Sequence, residues 1–185
     1  MRYLKAVNQA LYDAMEADDS VFVIGEDVGA AGGPFKATRG LLERFGPGRV
    51  YDAPIAEAVI AGVAVGAAMT GMRPVAEIMF MDFITLAMDQ IVNQASKIHY
   101  MFGGQQTFPI VFRSSVGGGT SLAAQHSQSP YSTFMNLAGL KLILPSTPYD
   151  MKGLLKSAIR DNNPVLSFES TRLMGLKGEV PEGDY

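Results

Sequence analysis

Short apolar runs alternate with segments of helical periodicity along the whole chain, and this alternation limits the folds that the sequence can adopt. Apolar residues recur every three or four positions through residues 4–17, which predicts an amphipathic helix. The wholly apolar run at 21–24 is typical of a strand that is buried on both faces of a parallel sheet. The same patterns predict further strands at 49–51, 74–80, 109–113, 141–144 and 164–168, and further helices at 38–45, from 57 onward, at 82–100 and at 149–160.

Strands that alternate with helices predict an α/β fold: a doubly wound, mainly parallel sheet with helices on both faces. The 185 residues, of which 48% are hydrophobic and 18% charged, are enough for one well-packed domain. We expect this domain to span residues 1–175, because the sequence becomes polar and richer in glycine and proline toward its end.

Composition excludes several classes of function. A net charge of −3 without any basic cluster argues against a nucleic-acid partner. The apolar, charge-free run at 58–72 is too short to span a bilayer, and residues 1–5 lead directly into a helix without a signal-peptide core, so we expect no membrane association. The absence of cysteine excludes disulfides and thiolate chemistry and fits a reducing cytosol, so we expect a cytoplasmic protein.

Glu57 stands at the start of that charge-free run, which we interpret as a buried core helix. A buried carboxylate without a partner is costly, so its presence there needs a reason. A glutamate in the first helical turn also complements the helix dipole, and the spacing alone leaves the structural and the functional role equally open.

Small residues form a row along the same predicted helix. Gly62 and Gly66 lie four positions apart and therefore on one helical face, and Gly71 continues the row. Such a face lets a second helix approach at backbone distance. Two explanations remain open: helix packing within this chain, or a subunit interface.

Several separated motifs agree on one family. Glu57 is followed by glycines five and nine positions later, and four more segments match in order: Gly25-Glu26-Asp27-Val28, Arg73-Pro74, Gln125-His126-Ser127-Gln128 and Pro148-Tyr149-Asp150. Over essentially its whole length the chain resembles the β, pyrimidine-binding subunits of thiamine-diphosphate-dependent 2-oxo acid and acetoin dehydrogenases, the E1 components. This resemblance implies the thiamine-diphosphate-binding fold of a transketolase-like pyrimidine domain.

The resemblance implies catalytic roles for Glu57 and His126. In this family the equivalent glutamate hydrogen-bonds a pyrimidine nitrogen of thiamine diphosphate and thereby activates the cofactor. The histidine assists acyl transfer to a lipoyl arm or holds the substrate. A structural loop histidine is the alternative for His126, and His99 is expected to serve packing or lie at the surface.

Further positions match cofactor-contacting residues of the family. They are Glu26, Ile55, Ala56, Glu57, Met79, Phe83 and Leu86. Phe83 could also be a core residue, and Glu26 a solvated loop acid. Branched-chain members carry glutamine where this chain has Met79, so the resemblance favours pyruvate or acetoin as the substrate.

The resemblance also suggests a structural potassium ion that is bound by main-chain oxygens. The matching positions are Ile110, Ala158, Ile159, Asp161 and Asn163. Without the family, the segment at 158–164 is simply the end of a helix before a strand.

The motif that holds the diphosphate is missing, since no Gly-Asp-Gly occurs. We therefore expect an E1 α subunit to bind the diphosphate and its magnesium, with the active site between chains. Family members also pair with a second β subunit and with a lipoyl-bearing acyltransferase, E2. We expect 176–185 to begin a linker to a carboxyl-terminal domain, and the chain to be inactive alone. A branched-chain 2-oxo acid dehydrogenase and a non-catalytic assembly domain are the alternatives.

Overall fold

A six-stranded parallel sheet forms the centre of the computed structural model, which describes residues 1–183 and 185. Its strands are β1 (Val21–Gly25), β2 (Val50–Asp52), β3 (Arg73–Phe80), β4 (Val111–Val116), β5 (Lys141–Ile143) and β6 (Val165–Ser170). They lie in the order β2-β1-β3-β4-β6-β5, and every neighbouring pair is parallel. All carboxyl ends therefore meet at one edge, and the chain reverses its direction of travel across the sheet between β1 and β3, where ligands bind in open α/β sheets.

Helices cover both faces, so the predicted doubly wound α/β architecture is confirmed. On one face α1 (Tyr3–Ala17) and α6 (Pro148–Arg160) pack on Val23, Val75 and Val111. On the other face α3 (Glu57–Met69) and the helical segment 81–101 pack on Ile78, Phe112 and other buried residues. No helix within the described part of the chain is long and apolar enough to cross a membrane.

The prediction of one regular helix at 82–100 is wrong. The chain there forms a 3-10 helix (Met81–Ala87), a π-helix (Gln90–Ala95) and the short α4 (Ile98–Met101). The Ser96 hydroxyl donates to the Val92 carbonyl at 2.7 Å, and the Ser96 N–H bonds the Ile91 carbonyl, five residues back. Such side-chain bonding competes with the regular ladder. The apolar spacing indicated correctly which face is buried, but it carries no information on helical pitch.

Polar residues also shifted the predicted boundaries. The strand predicted at 109–113 runs to Val116, because Ser114 and Ser115 are buried and pair with β6. The helix predicted at 38–45 is only α2 (Leu41–Phe45), which begins after the left-handed Gly40. A short helix, α5 (Tyr131–Phe134), was not predicted.

The interpretation of α3 as a buried core helix is half right. Ile60, Ala61 and Ala64 are buried, but Val59 and Val63 are 56% and 45% exposed. A Cβ atom built on Gly62 or Gly66 meets no atom within 4 Å, so packing inside this chain does not explain these glycines. Gly71 has a φ of +92° and serves the turn after α3.

The end of the chain returns to its beginning. Lys177 forms an antiparallel bridge with Arg2, and the Gly178 N–H donates to the Met1 carbonyl at 3.0 Å. Asp184, in the segment that we predicted as a linker, lies outside the described residues.

Candidate functional site

The carboxyl edge of the sheet brings two acids from different elements close together. Glu26 follows β1, and Glu57 begins α3 after the loop from β2. Their side chains are buried, with residue exposures of 8% and 6%. Burial raises the pKa of the Glu26 carboxyl, and the negative charges of Glu57 and then Asp27 raise it further. Glu26 is therefore not a solvated loop acid.

Glu57 is buried without an internal partner. No hydrogen bond from the described residues reaches its carboxylate, although its place in the first turn of α3 lets the helix dipole favour the charge. The residue before it, Ala56, offers no side-chain cap. The dipole makes a buried acid tolerable here, but the absence of a donor leaves its hydrogen-bonding capacity available to a ligand.

An aromatic cluster lies at the same carboxyl edge of the sheet, since Phe80 ends β3, and Phe83 and His126 follow β3 and β4. The His126 ring stands edge-on between Phe80 and Phe83, with centroid distances of 4.9 and 5.2 Å. Phe83 also packs against the core, so its structural and site roles coincide. The 3-10 helix that carries Phe83 packs directly on α3, which links the aromatic cluster to the element of Glu57.

Sequence reasoning missed Phe80, and a β-bulge explains why. Ile78 pairs with Ser114 and Phe80 with Ser115, so Met79 is an extra residue in β3. Strict alternation would bury Phe80 beside Ile78. Instead, Phe80 is half-buried and packs against the ring of His126. Its ring centroid also lies 6.3 Å from that of Phe35. No local sequence signal marks this bulge.

Two predicted cofactor contacts lie far out on the surface. Ile55 is 81% exposed and Leu86 is 59% exposed, whereas Ala56 and Met79 are half-buried. The structure thus brings Glu26 and Glu57 together, and His126 and Phe83 together, but leaves Ile55 and Leu86 uncovered.

A buried ionic cluster, which the sequence did not indicate, supports the turn before Glu26. Arg113 Nε and Nη2 donate to the two carboxylate oxygens of Glu169 at 2.8 and 2.6 Å, and Nη1 forms an ion pair with Glu77. All three residues are at most 3% exposed. A Cβ atom on Gly25 would lie 2.9 Å from the Glu77 Cβ, so this turn requires glycine.

Four of the five main-chain oxygens suggested for potassium already accept protein hydrogen bonds. The Ile159 and Asp161 carbonyls accept from Arg73 Nη1 at 3.1 and 3.2 Å, and the Ile110 carbonyl accepts from the Val165 N–H at 2.8 Å. The Ala158 carbonyl accepts from the Asp161 N–H, while the Asn163 N–H donates to the Asp161 side chain. Each carbonyl oxygen has a second lone pair that can accept a further contact. Acidic and histidine side chains form no metal-binding cluster within the described residues.

A cavity of about 610 Å³ lies at the opposite edge of the sheet, between α1 and α6. The buried Lys152 and Lys156 line it, and both approach the Asp13 carboxylate, at 3.6 and 3.5 Å. His99 also lies outside the candidate site: its side chain is exposed, and its Nδ1 is hydrogen-bonded to the Gln106 carbonyl. Neither feature belongs to the candidate site.

A parallel α/β domain with paired acids and an aromatic cluster at its topological switch point defines a class of ligand-binding domains. Residues 1–177 match the family model described as "Transketolase, pyrimidine binding domain", and the chain belongs to this family.

Similar curated proteins carry three different substrate names. The chain is 55% identical to the 2-oxoisovalerate dehydrogenase subunit beta of Bacillus subtilis (strain 168), over 100% of this chain and 57% of that protein. It is 50% identical to the acetoin:2,6-dichlorophenolindophenol oxidoreductase subunit beta of the same organism, over 97% of this chain and 56% of that protein. It is 49% identical to the pyruvate dehydrogenase E1 component subunit beta of Gracilaria tenuistipitata var. liui, with 97% and 56% covered. The chain thus spans little more than half the length of these relatives.

A solved structure shares the fold. A chain described as "Split gene transketolase, inactive beta4 tetramer" superposes with a TM-score of 0.77 at 20% identity, over 100% of this chain and 56% of that chain.

Proposed function

We propose that this chain is the pyrimidine-binding part of the β subunit of a thiamine-diphosphate-dependent E1-type dehydrogenase that acts on pyruvate or acetoin. The observation that carries the proposal is Glu57: a buried carboxyl without an internal donor, beside a second buried acid, at the switch point of a pyrimidine-binding domain. The domain would span residues 1–175, with 176–185 beginning a linker.

The described residues fit thiamine diphosphate. The bound cofactor supplies an electron sink for breaking a bond next to a carbonyl group. Glu57 would hydrogen-bond a pyrimidine nitrogen and exchange a proton there, and its carboxylate has no competing hydrogen bond from the described residues. Burial and the charge of Glu57 raise the pKa of Glu26, the second acid of the site. Phe83, Ala56, Met79, Ile55 and Leu86 would supply apolar contacts.

His126 would act on the substrate side. Its ring is held edge-on by Phe80 and Phe83, which fixes its orientation while leaving it partly accessible. An imidazole in this setting can donate a hydrogen bond to a developing anion or carry a proton. We assign it to substrate binding and to acyl transfer to a lipoyl arm.

We assign the remaining proposed partners to surfaces that this chain leaves exposed. An α subunit would hold the diphosphate and its magnesium, and it would cover the exposed Ile55 and Leu86. The outer face of α3 would contact a neighbouring subunit, because Gly62 and Gly66 have open space above them. A second β subunit and the lipoyl-bearing E2 complete the proposed assembly, with potassium at the carbonyls near the end of α6 and a cytoplasmic location.

A branched-chain 2-oxo acid is the second candidate substrate. Met79 favours pyruvate or acetoin, whereas the relative at 55% identity is named for 2-oxoisovalerate. Met79 is the bulged residue of β3, directly before Phe80, so its side chain is well placed to influence substrate choice. A non-catalytic assembly domain is less well supported, since Glu57, Phe83 and His126 are all present.

The test uses the full-length subunit assembled with its α partner and thiamine diphosphate. Reduction of an artificial electron acceptor is measured with pyruvate, acetoin and a branched-chain 2-oxo acid. Glu57→Gln should lower kcat by roughly 100-fold or more, the scale of lost acid–base catalysis. Glu16→Gln, at an exposed acid of α1, is the matched control. Unchanged activity in Glu57→Gln would refute the proposed role, and the preferred substrate decides between the two candidates.

A further inference from the structure

The segment 117–129, here called the His126 loop, is folded tightly back on itself. It begins directly after β4, and its two ends nearly touch. A Cβ atom on Gly117 would lie 1.8 Å from the His126 carbonyl oxygen, and one on Gly118 would lie 2.2 Å from the Ser129 hydroxyl. Glycine at both positions is therefore a condition for this loop geometry.

The loop holds unfavourable backbone conformations. Ser121 and Ala123 have φ values of +58° and +64°, a region that residues with side chains rarely adopt. Both residues are exposed, so core packing does not impose these angles. Within the loop, the Ser127 hydroxyl accepts from the Leu122 N–H at 2.8 Å. A conformation of this kind persists only where surrounding contacts over-determine it.

Asp82 supplies such a contact from outside the loop. Its Oδ1 accepts from the Gln128 side-chain amide at 2.9 Å and from the Gln128 backbone N–H at 3.3 Å. Asp82 is 7% exposed and immediately precedes Phe83 in the 3-10 helix. Asp82 Oδ1 therefore accepts hydrogen bonds from both the backbone and the side chain of Gln128, two positions after His126. Hydrogen bonds to a charged acceptor are stronger than neutral ones.

The other carboxylate oxygen of Asp82 makes the residue unusual. Oδ2 is buried and has no hydrogen-bond partner among the described residues. An apolar or neutral side chain would avoid this desolvation cost, so the fold alone does not require a carboxylate here. The benefit lies in the two bonds to Gln128.

We propose that Asp82 is a positioning residue that latches the His126 loop through Gln128 and so keeps the imidazole between Phe80 and Phe83. The latch and the aromatic contact come from the same short stretch, since Phe83 follows Asp82 directly. The relevance to catalysis rests on the role proposed above for His126, whereas the effect on the loop does not.

Hydrogen exchange followed by mass spectrometry tests the latch in the assembled complex. Asp82→Ala should speed amide exchange in 118–129 by roughly 10- to 100-fold, as expected when a charge-assisted bond that limits local opening is lost. Peptides from β6 should exchange as in the native complex. Asp82→Asn keeps an oxygen acceptor but loses the charge, so its exchange rate should lie between those of the native complex and Asp82→Ala. An unchanged rate in folded Asp82→Ala would overturn the proposal.

Gln128→Ala keeps the test decisive if Asp82→Ala does not fold. Gln128 is exposed, so its replacement leaves the core intact. It removes the shorter of the two bonds and should speed exchange of the loop by a smaller factor than Asp82→Ala. Native exchange rates in Gln128→Ala would also overturn the latch.

Measurements of turnover test whether the contact between Asp82 and Gln128 acts through His126. In the complex, Asp82→Ala should lower kcat by roughly tenfold, with a smaller change in KM, and should have no further effect in a His126→Ala background. An equal loss in both backgrounds would show that Asp82 acts by another route and would overturn the positioning role. If no form of the complex is active, the proposed function fails, while the exchange result still decides the latch.

Discussion

Glu26 and Glu57 show how proximity in the folded protein changes the pKa of a single residue. Each is an ordinary acid in the sequence, and only the meeting of the β1 and β2 ends makes them neighbours. Burial and the Glu57 charge both favour the protonated form of Glu26, so the two effects raise its pKa together.

Replacing Glu26 should change how stability depends on pH. The folded-state pKa lies above the ordinary 4.5, so the folded protein holds its proton to higher pH than the unfolded chain. Native stability therefore falls as pH rises through the interval above 4.5. Glu26→Gln removes this penalty, and its advantage in Tm over the native protein should grow from pH 4 to pH 7. Glu179→Gln controls for the loss of one charge, and a Tm difference independent of pH would contradict the prediction.

At the scale of elements, polar contacts decide where helices and strands begin and how they are tied. Thr147 caps α6 by accepting from the Asp150 N–H at 3.1 Å. Arg113 joins three strands, because its partners Glu77 and Glu169 lie on β3 and β6. The first contact can be inferred from local sequence, and the second cannot.

Removal of the cap should weaken α6. Thr147→Ala should lower the free energy of unfolding by about 1 kcal/mol, the usual cost of losing an N-cap side chain. Urea denaturation measures the change. Ser146→Ala is the matched control, because the Ser146 hydroxyl lies 3.5 Å from the Asp150 carboxylate and caps no N–H. Equal losses in both variants would contradict the assignment.

Removal of the buried arginine should cost more. Arg113→Met leaves two buried carboxylates without their cation, which should reduce the free energy of unfolding by about 3–5 kcal/mol at neutral pH. Urea denaturation at neutral pH provides the measurement. A loss below about 1 kcal/mol at neutral pH would show that the cluster contributes little.

At the scale of the whole molecule, α3 has two different faces. Its inner face builds the core, while its outer face carries exposed valines and glycines with open space above them. Exposed apolar surface of this kind marks a site of association. It adjoins the exposed Ile55, so the same side of the molecule carries the open edge of the candidate site.

Replacing a glycine on this face with alanine should change stability and subunit association in opposite directions. Gly66→Ala should raise the stability of the full-length subunit by up to about 1 kcal/mol, because alanine favours helix and meets no neighbour. The same methyl group should weaken association with partner subunits. Thermal unfolding and sedimentation measure the two effects. Gly48→Ala, at an exposed glycine in the loop before β2, should leave association unchanged. A lower Tm for Gly66→Ala would contradict an open face.

The sequence by itself determined the architecture and the first catalytic candidate. Apolar periodicity reports which residues avoid water, and its switch between strand and helix spacing was sufficient to predict a parallel α/β sheet. Glu57 stood out because its environment, a charge-free helix, is contiguous in sequence, and the family resemblance then implied its catalytic role. Phe80, Asp82 and Arg113 could not, since their partners lie on other elements. Only the tertiary structure decided the bulge at Met79, the irregular helix after β3 and the partners of buried charges, because these depend on distances between segments that are remote along the chain.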